Sequence, residues 1–285
     1  MATLNAGVRE RAFSSLAECE AEHRAGNRHW LMRARNFVVE WVEMGAGTAG
    51  FEFQCSHEAL LILPGTGAAI RCAGNGAIAQ SIPGQSVCIV PPGRHDVSAA
   101  QAGICIVIAS QRPDIAGRPV LHEQAYAQPD PQVAPVGRPY QRRGGYRLEV
   151  LALADIKAPA DKPRLKMLQT DTLSVNLVEY EGVRDRTALS PHSHADFEQG
   201  SLAIAGGFVH HLRVPWAADA NLWRDDEHLV APSPSLVVIP VGMVHTTEGT
   251  GDGFHFLVDI FSPPRADFIG KGWVFNSGSY DRPDA

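Results

Sequence analysis

Short apolar runs broken by Gly, Pro, Asn and Asp recur along most of the chain. Asn36-Phe37-Val38-Val39-Glu40-Trp41-Val42, Ala59-Leu60-Leu61-Ile62-Leu63 and Ser86-Val87-Cys88-Ile89-Val90 are examples from the first half. Leu173-Ser174-Val175-Asn176-Leu177-Val178, Ser235-Leu236-Val237-Val238-Ile239 and Phe254-His255-Phe256-Leu257-Val258 are their counterparts in the second. Such runs, rich in β-branched and aromatic residues and bounded by turn formers, predict the strands of an all-β sandwich or barrel. Two segments read differently. Residues 9–25, RERAFSSLAECEAEHRA, read as one short amphipathic helix. Residues 111–145 gather Pro and Gly and lose the apolar runs, which predicts a connection. The expected organisation is a unit at 1–110 with a leading helix, a linker at 111–145 and a unit at 146–285.

The two halves read as distant copies of one another. VVEWVEMGAG…FEFQCSHEALLILPGTG…VCIVPPGRH in the first runs in the same order as LVEYEGVRDR…PHSHADFEQGSLAIAGG…LVVIPVGMVH in the second. Aligning Glu58 with Glu198 places the Pro-Pro-Gly at 91–93 opposite the Pro-Val-Gly at 240–242.

Composition narrows the function. The 285 residues are 45% hydrophobic and carry a formal net charge of -6, so the chain can bury a core and lacks the basic balance of a nucleic-acid binder. No run approaches the ~18 apolar residues of a membrane span, and the N-terminal MATLNAGVRERAFSS has no signal-like apolar run. The five cysteines, Cys19, Cys55, Cys72, Cys88 and Cys105, are odd in number and form no CxxC, which suits reduced thiols in a cytoplasmic protein.

The chemistry concentrates in the second half. His192 and His194 alternate along a strand-like segment and so share a face. With twelve histidines, one HxH arises by chance about as often as not. Glu198 four residues on, and His245 closing Pro240-Val241-Gly242-Met243-Val244-His245, turn the pair into a ligand set. Three histidines and one carboxylate suit a first-row divalent metal, Fe(II), Mn(II), Ni(II), Zn(II) or Co(II). Around an octahedral ion, four protein ligands leave two positions for a bidentate substrate, or for a substrate oxygen with O2 or water.

With these residues in place, the second half resembles a cupin domain and the whole chain a bicupin. The first cupin motif runs Gly, five residues, HxH, three or four residues, Glu, six residues, Gly. His192, His194 and Glu198 fit it, with Arg186 at the leading Gly and the trailing Gly one place late at Gly206. The second runs Gly, five residues, PxG, two residues, His, three residues, Asn. Pro240, Gly242 and His245 fit, with Pro234 and Gly249 at the framing positions. Ile260-Phe261-Ser262-Pro263-Pro264-Arg265 resembles the closing strand of many small cupins. The resemblance implies two tandem jelly-roll barrels and a homodimer. It also implies a first barrel that has lost its metal site, where Glu52 and Gln54 match the HxH pair, Glu58 keeps the carboxylate and His95 follows the Pro-Pro-Gly.

Three further residues are candidates for catalysis. Alternation after Gly206-Gly207 turns inward either His211 with Arg213 or Phe208 with His210, and an inward Arg213 would suit a carboxylate substrate. His255 lies on the expected last strand as a general base, a partner of a ligand or a satisfied core histidine. Trp216 and Trp223 either lid the pocket or simply pack. The expected function is a metal-dependent oxygenase on a small anionic molecule, without an organic cofactor. The alternatives are a redox-neutral isomerase, lyase or hydrolase on a sugar acid or ureido compound, and a non-catalytic metal- or ligand-binding protein.

Overall fold

A computed structural model describes residues 7–72 and 78–283. The molecule is nearly all β, with a single five-residue α-helix, Ala266–Gly270, among the described residues. The apolar runs form the strands that their periodicity predicts. In the first half, Asn27–Arg33, Val38–Met44, Gly103–Ala109, Ala59–Leu63 and Ser86–Val90 follow one another across a sheet. A second sheet holds Phe51–Cys55, Gly93–Ser98, Ala68–Cys72 and Gln80–Ile82. The second half repeats the plan. Ser235–Ile239, Gln199–Ala205, Phe254–Phe261 and Ser174–Glu181 form one sheet, and Glu227–Pro232, Gly207–Arg213 and Val244–Thr250 form the other.

The N-terminal segment departs from the sequence reading. No helix forms over 9–25; Ala12–Ser15 and Glu22–Arg24 are strands instead. Arg24 and Asn27 are paired across Ala25-Gly26, and both turn residues have positive φ (49° and 82°), the primed hairpin geometry that matches strand twist. Ala12–Ser15 crosses to the other half and pairs with Ser235–Ile239, Phe13 opposite Val237. A weak local helix preference yields here to a sheet edge that needs a partner. The exchange is reciprocal: Glu149–Ala152 pairs with Ser86–Val90 of the first half. Each barrel lends the other a strand, as the two halves of an isologous interface do.

Two glutamates repeat this reciprocity. Glu58, just before Ala59–Leu63, accepts a hydrogen bond from the backbone N–H of Asp171 at 3.0 Å. Glu198, just before Gln199–Ala205, accepts one from the backbone N–H of Arg35 at 2.6 Å. Each carboxylate thus reaches a turn of the other barrel. Glu58 also accepts from Arg142 (3.1 Å) and from the Tyr280 hydroxyl (2.7 Å). Between the barrels lies one apolar core, which includes Trp41, Leu60, Ile62 and Ile108 from the first and Val175, Leu202, Val258 and Ile260 from the second. Phe37 seats itself on Gly200, where an added Cβ would lie 2.7 Å from the ring.

Residues 111–145 are docked along the barrels. Val120–Leu121 pairs parallel with Asn27–Arg33, and Gln141–Arg142 pairs with Tyr280–Asp281. Within this stretch Arg112 and Arg118 reach the buried Glu40 carboxylate at 2.7 and 2.6 Å, and His29 Nδ1 lies 2.8 Å from it. Burial alone would raise the Glu40 carboxyl, but the hydrogen bond with His29 and the two guanidinium charges outweigh it and hold the group well below the usual carboxylate range.

Candidate metal centre

The interiors of the two barrels differ in kind. That of the first is filled by apolar side chains, among them Phe53, Leu61, Ile70, Cys88, Val97 and Val107. The positions matched to the HxH pair, Glu52 and Gln54, point outward, and Glu52 pairs with Arg94 on the surface. Phe53 and Cys55 take the inward places. His95 is inside, with Nε2 2.8 Å from the Pro91 carbonyl, and burial pushes its imidazole down to about 4. The four residues are dispersed, and Glu58 serves the contact between barrels.

In the second barrel the histidines converge. His192 and His245 face one another across an antiparallel bridge closed by two backbone hydrogen bonds of 3.0 and 2.8 Å. The turn before His245 forces this register: Gly242 takes φ 80°, a value that favours glycine, and its N–H donates to the His194 carbonyl at 2.8 Å. One ring nitrogen each of His192, His194 and His245 lies within 4.8 Å of the others, and no other such group of three occurs among the described residues. His194 is wedged against Phe197 and Phe261.

Glu198 does not join them, because its carboxylate faces Arg35. The next residue does. Gln199 opens the strand with its side chain inward, its Oε1 2.9 Å from His194 Nε2 and 3.2 Å from His245 Nε2. The amide is oriented from behind: its Nε2 donates to Asp259 at 3.0 Å, and Asp259 accepts as well from Ser201 (3.1 Å) and Asn176 (3.4 Å). The motif carried a signal for this. Counted from Gln199, six residues separate it from Gly206, the frame that Glu198 misses by one.

The protonation states follow from the partners. His192 Nδ1 lies 2.8 Å from the Ser190 carbonyl and His245 Nδ1 3.0 Å from the Met243 carbonyl. A carbonyl only accepts, so both Nδ1 atoms carry protons, and the neutral ring of His245 leaves its Nε2 bare. Burial pushes the His194 imidazole down to about 4 and His245 to about 3, which keeps both neutral at pH 7. The bare Nε2 of His245 therefore faces the Gln199 oxygen with no proton between them. Three ring nitrogens and an amide oxygen gathered at one point, two of the rings buried, fit a divalent cation.

The other sequence candidates lie elsewhere. Phe208 and His210 turn inward, and His211 and Arg213 turn outward. Arg213 is an exposed partner of Asp226, and His211 bonds with Glu248 and His228. His255 is buried behind the site, stacked on Tyr180 at 4.9 Å, with its Nε2 2.9 Å from the Thr250 carbonyl. Trp216 and Trp223 stack on each other. What the linear reading missed is the cavity wall. A cavity of about 580 Å3 is lined by His192, Gln199 and His245, and also by Lys162, Arg164, Tyr180, Arg184, Asp259 and Trp273. Tyr180 reaches its place only because residue 249 is glycine; a Cβ there would lie 1.9 Å from the hydroxyl.

No known family's sequence model matches the chain, and no curated protein matches it in sequence. Solved structures do. The oxalate decarboxylase of Lactobacillus farciminis, in a formate complex, superposes with a TM-score of 0.61 at 12% identity, over 93% of this chain and 91% of that one. The chain has the bicupin fold. Bacillus subtilis oxalate decarboxylase, a protein with Mn(II) centres, gives 0.56 at 12% identity, over 88% and 77%. Protein Ylba from E. coli gives 0.55 at 10% identity, over 91% and 94%. At these identities the likeness concerns the bicupin architecture alone. No helix among the described residues is long and apolar enough to cross a membrane.

Proposed function

We propose that this bicupin is a metal-dependent enzyme acting on a small organic acid in its second barrel. The observation that carries the reading is the convergence of three imidazole nitrogens and the Gln199 oxygen, with His192, His245 and Gln199 on the wall of one cavity. The residues that would hold the ion are His192, His194, His245 and Gln199. A divalent ion held there supplies a Lewis acid that polarises a substrate oxygen. The chain supplies the rest. Lys162, Arg164 and Arg184 give the cavity a cationic wall that attracts an anion. Asp259 holds the Gln199 amide in its orientation, and Phe208, Leu257 and Phe261 keep part of the wall apolar and dry.

The donor set ranks the reactions. All four groups are neutral, so no carboxylate offsets the charge of the ion. A neutral set leaves the full divalent charge on the substrate and disfavours a trivalent state. We therefore place a redox-neutral isomerase, lyase or hydrolase reaction ahead of the oxygenase. Both share the ion and the acid substrate. The test is turnover of a panel of hydroxy, keto, sugar and ureido acids by protein loaded with Mn(II), Zn(II) or Fe(II), with and without O2. Turnover without O2, by more than one of these metals, supports the reading. Turnover that requires both Fe(II) and O2 overturns the ranking.

A further inference from the structure

We propose that Arg164 is the second anchor of the cavity, so that the substrate is a dianion with one end at the histidine centre and a distal carboxylate on Arg164. The inference rests on the acid-binding reading above and narrows it. Arg164 lines the same cavity as His192, Gln199 and His245. Its charge is felt at Tyr180 and Asp185, yet among the described residues no hydrogen bond or ion pair closes on its guanidinium.

The other guanidinium groups of the wall are committed. Arg265 is closed by both oxygens of Asp267 at 2.8 and 2.7 Å. Arg184 donates to the Ala188 carbonyl at 2.7 Å, and Lys162 Nζ lies 5.5 Å from the Trp273 ring centre. Neither lining carboxylate is paired with Arg164: Asp259 is held by three donors, and among the described residues no ion pair joins Asp161 to the guanidinium. An unpaired guanidinium is a planar fork of donors that matches a carboxylate. The cavity, about 580 Å3, has room for more than a two-carbon acid. Arg164 also lies outside the strands, on the exposed segment before Met167–Gln169, where a substitution leaves the barrel intact.

The experiment uses the full chain loaded with Mn(II), and two probes that share a 2-hydroxy acid head. Glycolate offers that head alone, and malate adds a second carboxylate. Binding is read by calorimetry and by the change in the Mn(II) resonance. Malate should bind about tenfold tighter than glycolate, and Arg164→Gln should reduce the margin to about twofold or less. Mn(II) content and glycolate affinity should stay at the wild-type level in that variant. Arg164→Lys should keep part of the margin, as a point charge without the fork. Equal binding of the two acids by the wild type, or an undiminished margin in Arg164→Gln, overturns the proposal alone. If neither acid perturbs fully loaded wild-type protein, the acid-binding reading itself falls, and this proposal with it.

Discussion

The division of labour between two neighbouring residues gives a sharp prediction. Gln199→Ala removes the amide oxygen from His194 and His245 and strips Asp259 of one of three donors. Loss of a donor or of its orienting partner typically costs a metal site about 10- to 100-fold in affinity. That corresponds to about 1.4–2.8 kcal/mol. Glu198→Gln sits one residue away and should behave otherwise. The carboxylate oxygen 2.6 Å from the Arg35 N–H is replaced by an amide oxygen that still accepts, so a charge-assisted bond becomes a neutral one. Burial raises the Glu198 carboxyl, and the hydrogen bond and charge of Arg35 oppose it, so removing the charge also relieves a desolvation cost. The net change in stability should stay within about 1 kcal/mol, and metal affinity should move by less than about threefold. Competition of each variant against a fluorescent chelator for Mn(II) and Zn(II) measures both. If Glu198→Gln loses more affinity than Gln199→Ala, the carboxylate is the ligand and the geometry argued here is wrong.

Glu40→Gln leaves Arg112 with Asp114 alone and Arg118 with Glu22 alone, and should cost about 1–3 kcal/mol in urea unfolding. The folded Glu40 carboxyl lies below its unfolded value, so its contribution is complete above the unfolded range near 4.3 and fades as pH falls towards the folded value. The gap between wild type and Glu40→Gln should therefore narrow below about pH 4, and a gap that widens there refutes the assignment. Gly249→Ala drives a Cβ against the Tyr180 hydroxyl and should destabilise by about 1–3 kcal/mol while weakening binding of acids in the cavity; an unchanged melting temperature would contradict the packing. Arg213→Gln should leave glycolate and malate binding unaltered, because its guanidinium is engaged with Asp226 outside the barrel. His95→Ala should leave metal content unaltered, because that side chain lies in the apolar interior of the first barrel.

The strands were legible because their apolar runs are local and bounded by turn formers, and His192, His194 and His245 because alternation and a Pro/Gly turn fix their faces. The residue after Glu198 was legible only through Gly206: a one-residue slip changes the face of a side chain, and the glutamate looked the better ligand. The exchange of Ala12–Ser15 was invisible, since which sheet edge lacks a partner is a property of the assembled barrels. Phe208 and His210 against His211 and Arg213 was a choice between two parities, and only the pairing with Val244–Thr250 decides it. Arg164 sits in Asp161-Lys162-Pro163-Arg164-Leu165, a charged segment whose local pattern says nothing of the cavity it borders.

The central claim is that His192, His194 and His245 hold one divalent ion, with Gln199 beside them. X-ray absorption spectroscopy on the purified protein, alongside its metal content and that of His194→Ala, tests it most directly. The account predicts about one ion per chain, bound by three imidazoles and otherwise by oxygen. It predicts near-complete loss of the ion in a His194→Ala protein that keeps its β-rich circular dichroism. Metal content near wild type in that variant, or a coordination sphere without imidazole, would contradict the account.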